Sequence, residues 1–225
     1  MQGNVFKPRL DILPLPQRML WDELAATPGD FTLYGGTAIA LRLGHRQSVD
    51  FDFFSAEPFN PAALADKIPY LYPNVVLQSE ANTLCVSVER GGPVKLAFFG
   101  GLRLGQVMAA DVAEGPRISV ASLLDLGGTK AAVVMQRAEL KDYMDIHALI
   151  TQAKLPLSDM LASAEAIYGD QFNPLVSLKA IAYHDDETLA DLPMSVRHDL
   201  VAAVKSVTID KLPVFQPLRP WKPAQ

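Results

Sequence analysis

The stretch from Leu33 to Ser55, LYGGTAIALRLGHRQSVDFDFFS, decides how this chain folds. Its last part, Val49-Asp50-Phe51-Asp52-Phe53-Phe54, alternates apolar and acidic residues, the pattern of a strand with one face in a core. Both carboxylates then leave the same face, with their Cα atoms about 6–7 Å apart. Two acids side by side repel each other, and a divalent cation removes the repulsion. Mg²⁺ in particular takes one or two carboxylates together with substrate phosphate oxygens. The competing interpretation is a solvated edge strand whose outward face happens to be acidic.

Upstream residues bear on that choice. Phe31–Tyr34 reads as a short strand, Gly35-Gly36 breaks it, and Thr37–Leu43 returns to helix-forming composition ending at Gly44. A Gly-Gly-Thr at a strand-to-helix junction offers free amides, a hydroxyl and close backbone approach to a phosphate chain. A lone Gly-Gly is an ordinary turn; followed by one helix and an Asp-x-Asp strand, it is a far more specific signal.

Working outward, Leu15–Ala26 has helical spacing of apolar residues, and Asn60 with Pro61 opens a helix through Lys67. Short β-type runs at Val75–Leu77, Leu84–Val88, Val94–Phe99 and Arg117–Val120 predict an antiparallel meander that pairs with the earlier strands. Beyond Ser122 the reading is helical almost to Asp210. Ser122 and Asp125 form a capping pair. Helices are expected at Lys130–Arg137 and Glu139–Gln152, then near 158–168, 174–183 and 195–207. The chain therefore divides into an α+β core over 1–118, a helical domain over 119–210 and a proline-rich arm over 211–225.

Composition bounds the alternatives. With 225 residues, 49% of them apolar and 20% charged, the chain is globular in character. Twenty basic against 25 acidic residues give a net charge of −5, which excludes a surface basic overall but leaves room for a local basic cleft. The single cysteine, Cys85, excludes an intramolecular disulfide and a cysteine-cluster metal site. The histidines at 45, 147, 184 and 198 are scattered without metal-ligand spacing. No apolar run approaches the roughly 18–20 residues that span a bilayer, and the N-terminus lacks a signal-peptide core, so a cytoplasmic protein without a membrane partner is expected.

The glycine turn, short helix and two-acid strand resemble the signature of polymerase-β-type nucleotidyltransferases. Within that superfamily the chain most resembles the AbiEii/AbiGii abortive-infection toxins: Tyr34-Gly35-Gly36-Thr37-Ala38, His45-Arg46, Ser48 and Asp50-Phe51-Asp52 fit the first motif. Lys130, Arg137 and Lys141-Asp142-Tyr143-Met144-Asp145 fit the helical motifs. The resemblance implies an α+β nucleotidyltransferase fold with a mixed β-sheet and a C-terminal helical region. It implies an enzyme moving a nucleoside monophosphate from an NTP to an acceptor, a tRNA end or a protein hydroxyl, as the toxin of a toxin–antitoxin pair with a cognate antitoxin. Asp50 and Asp52 would hold Mg²⁺ or Mn²⁺, and Gly35, Gly36, Thr37, Arg46, Lys130 and Arg137 would contact nucleotide. Lys130 and Asp142 would join the acid pair in catalysis, on helices that flank the cleft.

The residues leave other readings open. Lys130 and Arg137, seven apart, share a helix face, as do Asp142 and Asp145, and the same set describes a helix hairpin held by ion pairs. Lys141 with Asp145 fits the ion-pair reading best. Arg46 could instead pair with Asp50 or cap the helix before it, and His45 reads as structural. One departure from the polymerase-β pattern stands out. The strand expected to bear a third carboxylate, Val94–Phe99, has none; Ala97 holds that position, and Glu89 is on the strand before. The alternative function is thus a degenerate nucleotide-binding or partner-binding protein, and a glycosyltransferase using Asp-x-Asp is a third candidate. Gly127-Gly128-Thr129-Lys130 lacks the order of a P-loop, and there is no Gly-x-Ser-x-Gly elbow.

Overall fold

The computed structural model describes residues 3–221, which fall into two compact units. The first comprises the chain up to Arg103 together with Ala109–Ala121. Its strands are β1 (Val5–Phe6), β2 (Thr32–Tyr34), β3 (Asp50–Phe54), β4 (Asn74–Glu80), β5 (Thr83–Glu89), β6 (Pro93–Phe99), β7 (Asp111–Ala113) and β8 (Ser119–Val120). They form one mixed sheet in the order β1-β7-β8-β2-β3-β6-β5-β4. β4, β5 and β6 form the antiparallel meander expected of the first three runs, and β6 lies parallel to β3. The fourth run is corrected: it is β8, which pairs parallel to β2 and antiparallel to β7.

Alternation on β3 sets the arrangement. Phe51 and Phe53 have no solvent exposure, while Asp50 and Asp52 are half-buried on the other face. Phe53 stacks on Phe98 of β6 with ring centroids 5.2 Å apart, and Phe31 meets Phe98 edge-on at 5.3 Å. Helix α1 (Leu15–Leu20) tightens into a 3-10 turn at Trp21–Ala26 and buries Leu20, Trp21 and Leu24. Helix α2 (Gly35–Leu43) follows β2 without a loop and ends at Gly44, whose φ of 68° is the left-handed cap that glycine favours. Helix α3 (Pro61–Lys67) is capped by Asn60, whose Oδ1 accepts the Ala63 N–H at 3.0 Å.

β1, β7 and β8 have only two or three residues each and need outside support. Arg42 of α2 provides it. Its guanidinium donates to the Asp111 carboxylate at 2.5 Å and to the carbonyls of Val120 and Ala121, and lies 4.4 Å from the Phe6 ring centre. A second tether fixes the β5–β6 hairpin: Arg90 donates to both oxygens of Glu23, at 2.6 and 2.7 Å.

The second unit comprises Leu104–Met108 and the chain from Ser122 on. Its helices are α4 (Leu123–Val133), α5 (Leu140–Thr151), α6 (Leu157–Tyr168), α7 (Pro174–Ala182) and α8 (Met194–Ser206). Ser122 caps α4, its Oγ accepting the Asp125 N–H at 3.0 Å. The helix expected at Lys130–Arg137 is corrected: α4 spans Leu123–Val133, and Arg137 lies in the connection to α5. The glycines of Gly127-Gly128, which lack a P-loop's order, are packing positions inside α4. A Cβ at Gly127 would meet Met160 Cγ at 2.8 Å, and one at Gly128 would meet Ser163 Oγ at 2.6 Å, so only hydrogen lets α6 come this close.

The Asp125 carboxylate accepts the N–H groups of Val107 and Met108, at 2.8 and 2.9 Å, and the Ser122 hydroxyl. These bonds hold residues 104–108 in the second unit. Burial nevertheless keeps the pKa of this carboxyl above the usual carboxylate range. The C-terminal stretch folds back on the same unit: Arg219 bridges Gln106, and the Trp221 ring fills the space a Cβ on Gly169 would take. The end of the expected proline-rich arm, residues 222–225, lies outside the described residues.

Arg42→Met leaves Asp111 and two carbonyls without their donor, so urea unfolding followed by circular dichroism is expected to show a loss of about 3 kcal/mol. Hydrogen bonds from Arg90 hold the Glu23 carboxyl below its ordinary value of 4.5. A depressed folded-state pKa gives stability that is present above the unfolded value and lost as pH falls. The stability gap between wild type and Glu23→Gln is therefore expected to be full near neutral pH and to close as pH drops below about 4.5, read from urea midpoints across pH.

Candidate active site

The acid pair sits in the middle of the sheet, since β3 has β2 on one side and β6 on the other. Tyr34 is the registered partner of Asp52, and Gly35 follows it directly as the first residue of α2. Gly35 has φ +74°, and a Cβ there would lie 2.7 Å from Asp52 Oδ2. Glycine is required twice over, by the left-handed backbone and by the carboxylate pressed against it. The result is an acid set over the amino end of a nine-residue helix.

Thr37 has another occupation. It is 2% exposed, and its hydroxyl contacts Ser48 Oγ at 2.7 Å and the Asp50 carbonyl. It clamps α2 to the start of β3. Arg46 is half-buried and donates to the Gln47 carbonyl at 2.9 Å, in the loop between α2 and β3. Gly36 lies in the first turn of α2 beside Gly35.

Register defines the neighbours of the acids on the far side. In the parallel pairing of β3 with β6, Asp50 is opposite Lys95 and Asp52 opposite Ala97. Continuing onto β5, Ser87 pairs with Lys95 and Cys85 with Ala97. Paired residues share a face, so Asp50, Lys95 and Ser87 form one row, and Asp52, Ala97 and Cys85 the next. The Cys85 thiol registers both: burial pushes its pKa up, Lys95 pulls it down and Asp52 pushes it up. Glu89 is on the same face at the far end of β5, opposite Pro93, two strands or about 10 Å from β3. The position beside Asp52 thus carries a methyl group where a third carboxylate would stand. Lys95 was missed in the sequence, although the alternation in VKLAFF already puts it on the face of Ala97.

The helical candidates form a cluster of their own in the second unit. Lys130 Nζ lies 2.6 Å from Asp142 Oδ1 and 2.7 Å from Asp145 Oδ2. Arg137 Nε donates to Asp142 Oδ2 at 2.9 Å, and Arg137 also pairs with Glu139 at 3.3 Å. Both aspartates have no solvent exposure and Lys130 has 6%. Arg137 reaches Asp142 from the α4–α5 connection, where it shares no helix face with Lys130. Lys141 pairs with Glu139 at 3.0 Å, not with Asp145.

Among the described residues, no group of three or more His, Cys, Asp or Glu is arranged to hold a metal ion. The donor set on β3 is two carboxylates, all oxygen. It fits a hard divalent cation that takes its remaining ligands from water and substrate, and the Gly35 cradle gives Asp52 a fixed seat. No helix of the described residues is long and apolar enough to cross a membrane.

Comparison with known proteins agrees with this architecture. An uncharacterized protein of Aquifex aeolicus (strain VF5) is 29% identical over 160 residues, 70% of this chain and 75% of that one. A crystal structure of a candidate nucleotidyltransferase from H. pylori superposes with a TM-score of 0.51 at 17% identity, over 84% of this chain and 90% of that one. MenT4, a nucleotidyltransferase toxin from Mycobacterium tuberculosis H37Rv, gives 0.54 at 14% identity, over 84% and 83%. At these identities the two structures share the fold. The family model described as "Nucleotidyl transferase AbiEii toxin, Type IV TA system" matches residues 18–216, nearly the whole chain with both acid-bearing units. The chain belongs to the AbiEii family of nucleotidyl transferase toxins.

Proposed function

We propose that this chain transfers a nucleoside monophosphate from an NTP to a hydroxyl acceptor, a tRNA end or a protein side chain, in a cation-dependent reaction, and that it is held in check by a cognate antitoxin. One observation carries the reading: the half-buried Asp50–Asp52 pair shares one face of β3, with the Gly35 turn packed against Asp52. In the transfer, an acceptor oxygen bonds to the α-phosphorus and the bond from that phosphorus to the bridging oxygen of the β-phosphate breaks. Pyrophosphate departs with the bonding pair, and the acceptor proton passes to solvent or a nearby base.

Asp50 and Asp52 would hold Mg²⁺ or Mn²⁺, which when bound supplies positive charge to the phosphoryl oxygens. Gly35 and Gly36 present the amino end of α2 to the phosphate chain. Thr37 positions rather than binds, since its hydroxyl fixes the carbonyl of Asp50 and so the first acid of the pair. Arg46, from the loop that leads into β3, is a cation of this unit assigned to the nucleotide.

For Lys130, Arg137 and Asp142 the buried ion cluster favours a positioning role: two cations balance two carboxylates and fix the α4–α5 hairpin. Lys130→Met removes one ammonium from between two unexposed carboxylates, and a loss of about 3–5 kcal/mol is expected in chemical denaturation. A variant that keeps its full stability yet loses transfer would instead put Lys130 on the nucleotide.

The main test is incubation with each α-labelled NTP, Mg²⁺ and total RNA or protein, with the labelled product then identified. Asp50→Asn and Asp52→Asn are each expected to lower transfer by at least ~100-fold while leaving the thermal midpoint near wild type. Activity near wild type in either variant overturns the assignment. Nucleotide binding without label in any acceptor would favour the degenerate binding protein, a reading whose motive is Ala97 beside Asp52.

A further inference from the structure

The acid-bearing face of β3 continues onto β6 with a lysine and an alanine, not with an acid. Lys95 stands beside Asp50 and Ala97 beside Asp52, in a register set by five consecutive parallel pairs from Asp50–Lys95 to Phe54–Phe99. Adjacent strands are about 4.8 Å apart, so the stem of Lys95 begins next to the Asp50 carboxylate. Lys95 is exposed, and among the described residues no carboxylate forms an ion pair with it. The Ser87 hydroxyl, half-buried, is its partner in the same row on β5.

Charge decides what this row can hold. Two carboxylates balance one divalent ion. A second ion would leave the face doubly positive even before Lys95 is counted, and it would lie within a few ångströms of the ammonium, which repels it. A two-ion site therefore lacks its third carboxylate, and the counter-charge that remains for a second ion, the nucleotide's own phosphates, is met first by the Lys95 ammonium. The topology adds a direction. The glycine turn lies on the β2 side of β3 and Lys95 on the β6 side, so an anionic chain lying over the acids meets helix amides on one flank and an ammonium on the other.

We propose that the site takes a single divalent ion and that the Lys95 ammonium does the work of a second, gripping the nucleotide's phosphate oxygens beside Asp50. The proposal rests on the nucleotidyltransferase reading of the acid pair. It makes Lys95 a substrate-contacting residue and Ala97 the small neighbour that leaves room for its side chain.

The test counts ions and measures binding, so it needs no acceptor. Mn²⁺ bound per chain is counted by electron paramagnetic resonance with each of the four α,β-imido NTP analogues in turn, and analogue affinity is measured by calorimetry. Wild type is expected to bind one Mn²⁺. Lys95→Met should keep that one ion, stay folded because the position is exposed, and bind the analogue at least ~10-fold more weakly, the loss of one charge-assisted contact. Lys95→Arg should recover most of that affinity. Two Mn²⁺ per wild-type chain, or an analogue affinity in Lys95→Met within about twofold of wild type, overturns the proposal while the acid pair stands. No Mn²⁺ on wild type with any analogue, the result expected of Asp52→Asn, overturns the metal assignment of the acid pair itself.

Discussion

The burial of Phe51 and Phe53 on one side of β3 is the constraint on which the rest of the first unit depends. With both rings unexposed and Phe53 stacked on Phe98, the strand cannot slip by one residue without driving two carboxylates into an aromatic core. That penalty fixes the register with β6 and the side on which Asp50 and Asp52 emerge. It also fixes what stands next to them. Hydrophobic packing on one face thus places ionic chemistry on the other.

The positive φ at Gly35 works with that constraint. The left-handed backbone brings the amino end of α2 against Asp52, and Thr37 ties the same helix turn to the carbonyl of Asp50. Two links from α2 to two points on β3 leave little freedom between the helix and the acids. The outer strands β1, β7 and β8 are held by Arg42, near the other end of the same helix. A nine-residue helix thus serves the site at its first turn and the sheet edge at its last.

Much of this was legible in the sequence because it depends on local periodicity. The period-two run at Asp50–Phe54, the Gly44 stop and the Asn60 cap involve residues a few positions apart, and each appears where the pattern puts it. What was not legible depends on contacts distant in sequence. The helix start was set at Lys130, past Gly127-Gly128, because nothing nearby reveals that α6 presses on those two positions. Arg137 was placed on a helix because its spacing from Lys130 fits one, whereas the chain turns early and reaches Asp142 from a loop. Lys95 went unnoticed because its meaning comes from Asp50, forty-five positions earlier and across a parallel pairing that no short-range pattern encodes. The Thr37 hydroxyl looked available for phosphate because sequence does not show that Ser48 and the Asp50 carbonyl already occupy it.

The capture of residues 104–108 by Asp125 has a consequence for how such a protein can be divided or recombined. The chain passes from one unit to the other after Arg103, back after Met108 and over again after Ala121. A single cut cannot separate two complete halves. A fragment beginning at Ser122 would keep a carboxylate meant for the Val107 and Met108 amides and leave it buried without them. The helical unit is therefore not a cassette that can be appended to or removed from the sheet. The two are interleaved along the chain, and exchange of either between relatives must carry the five-residue strap as well.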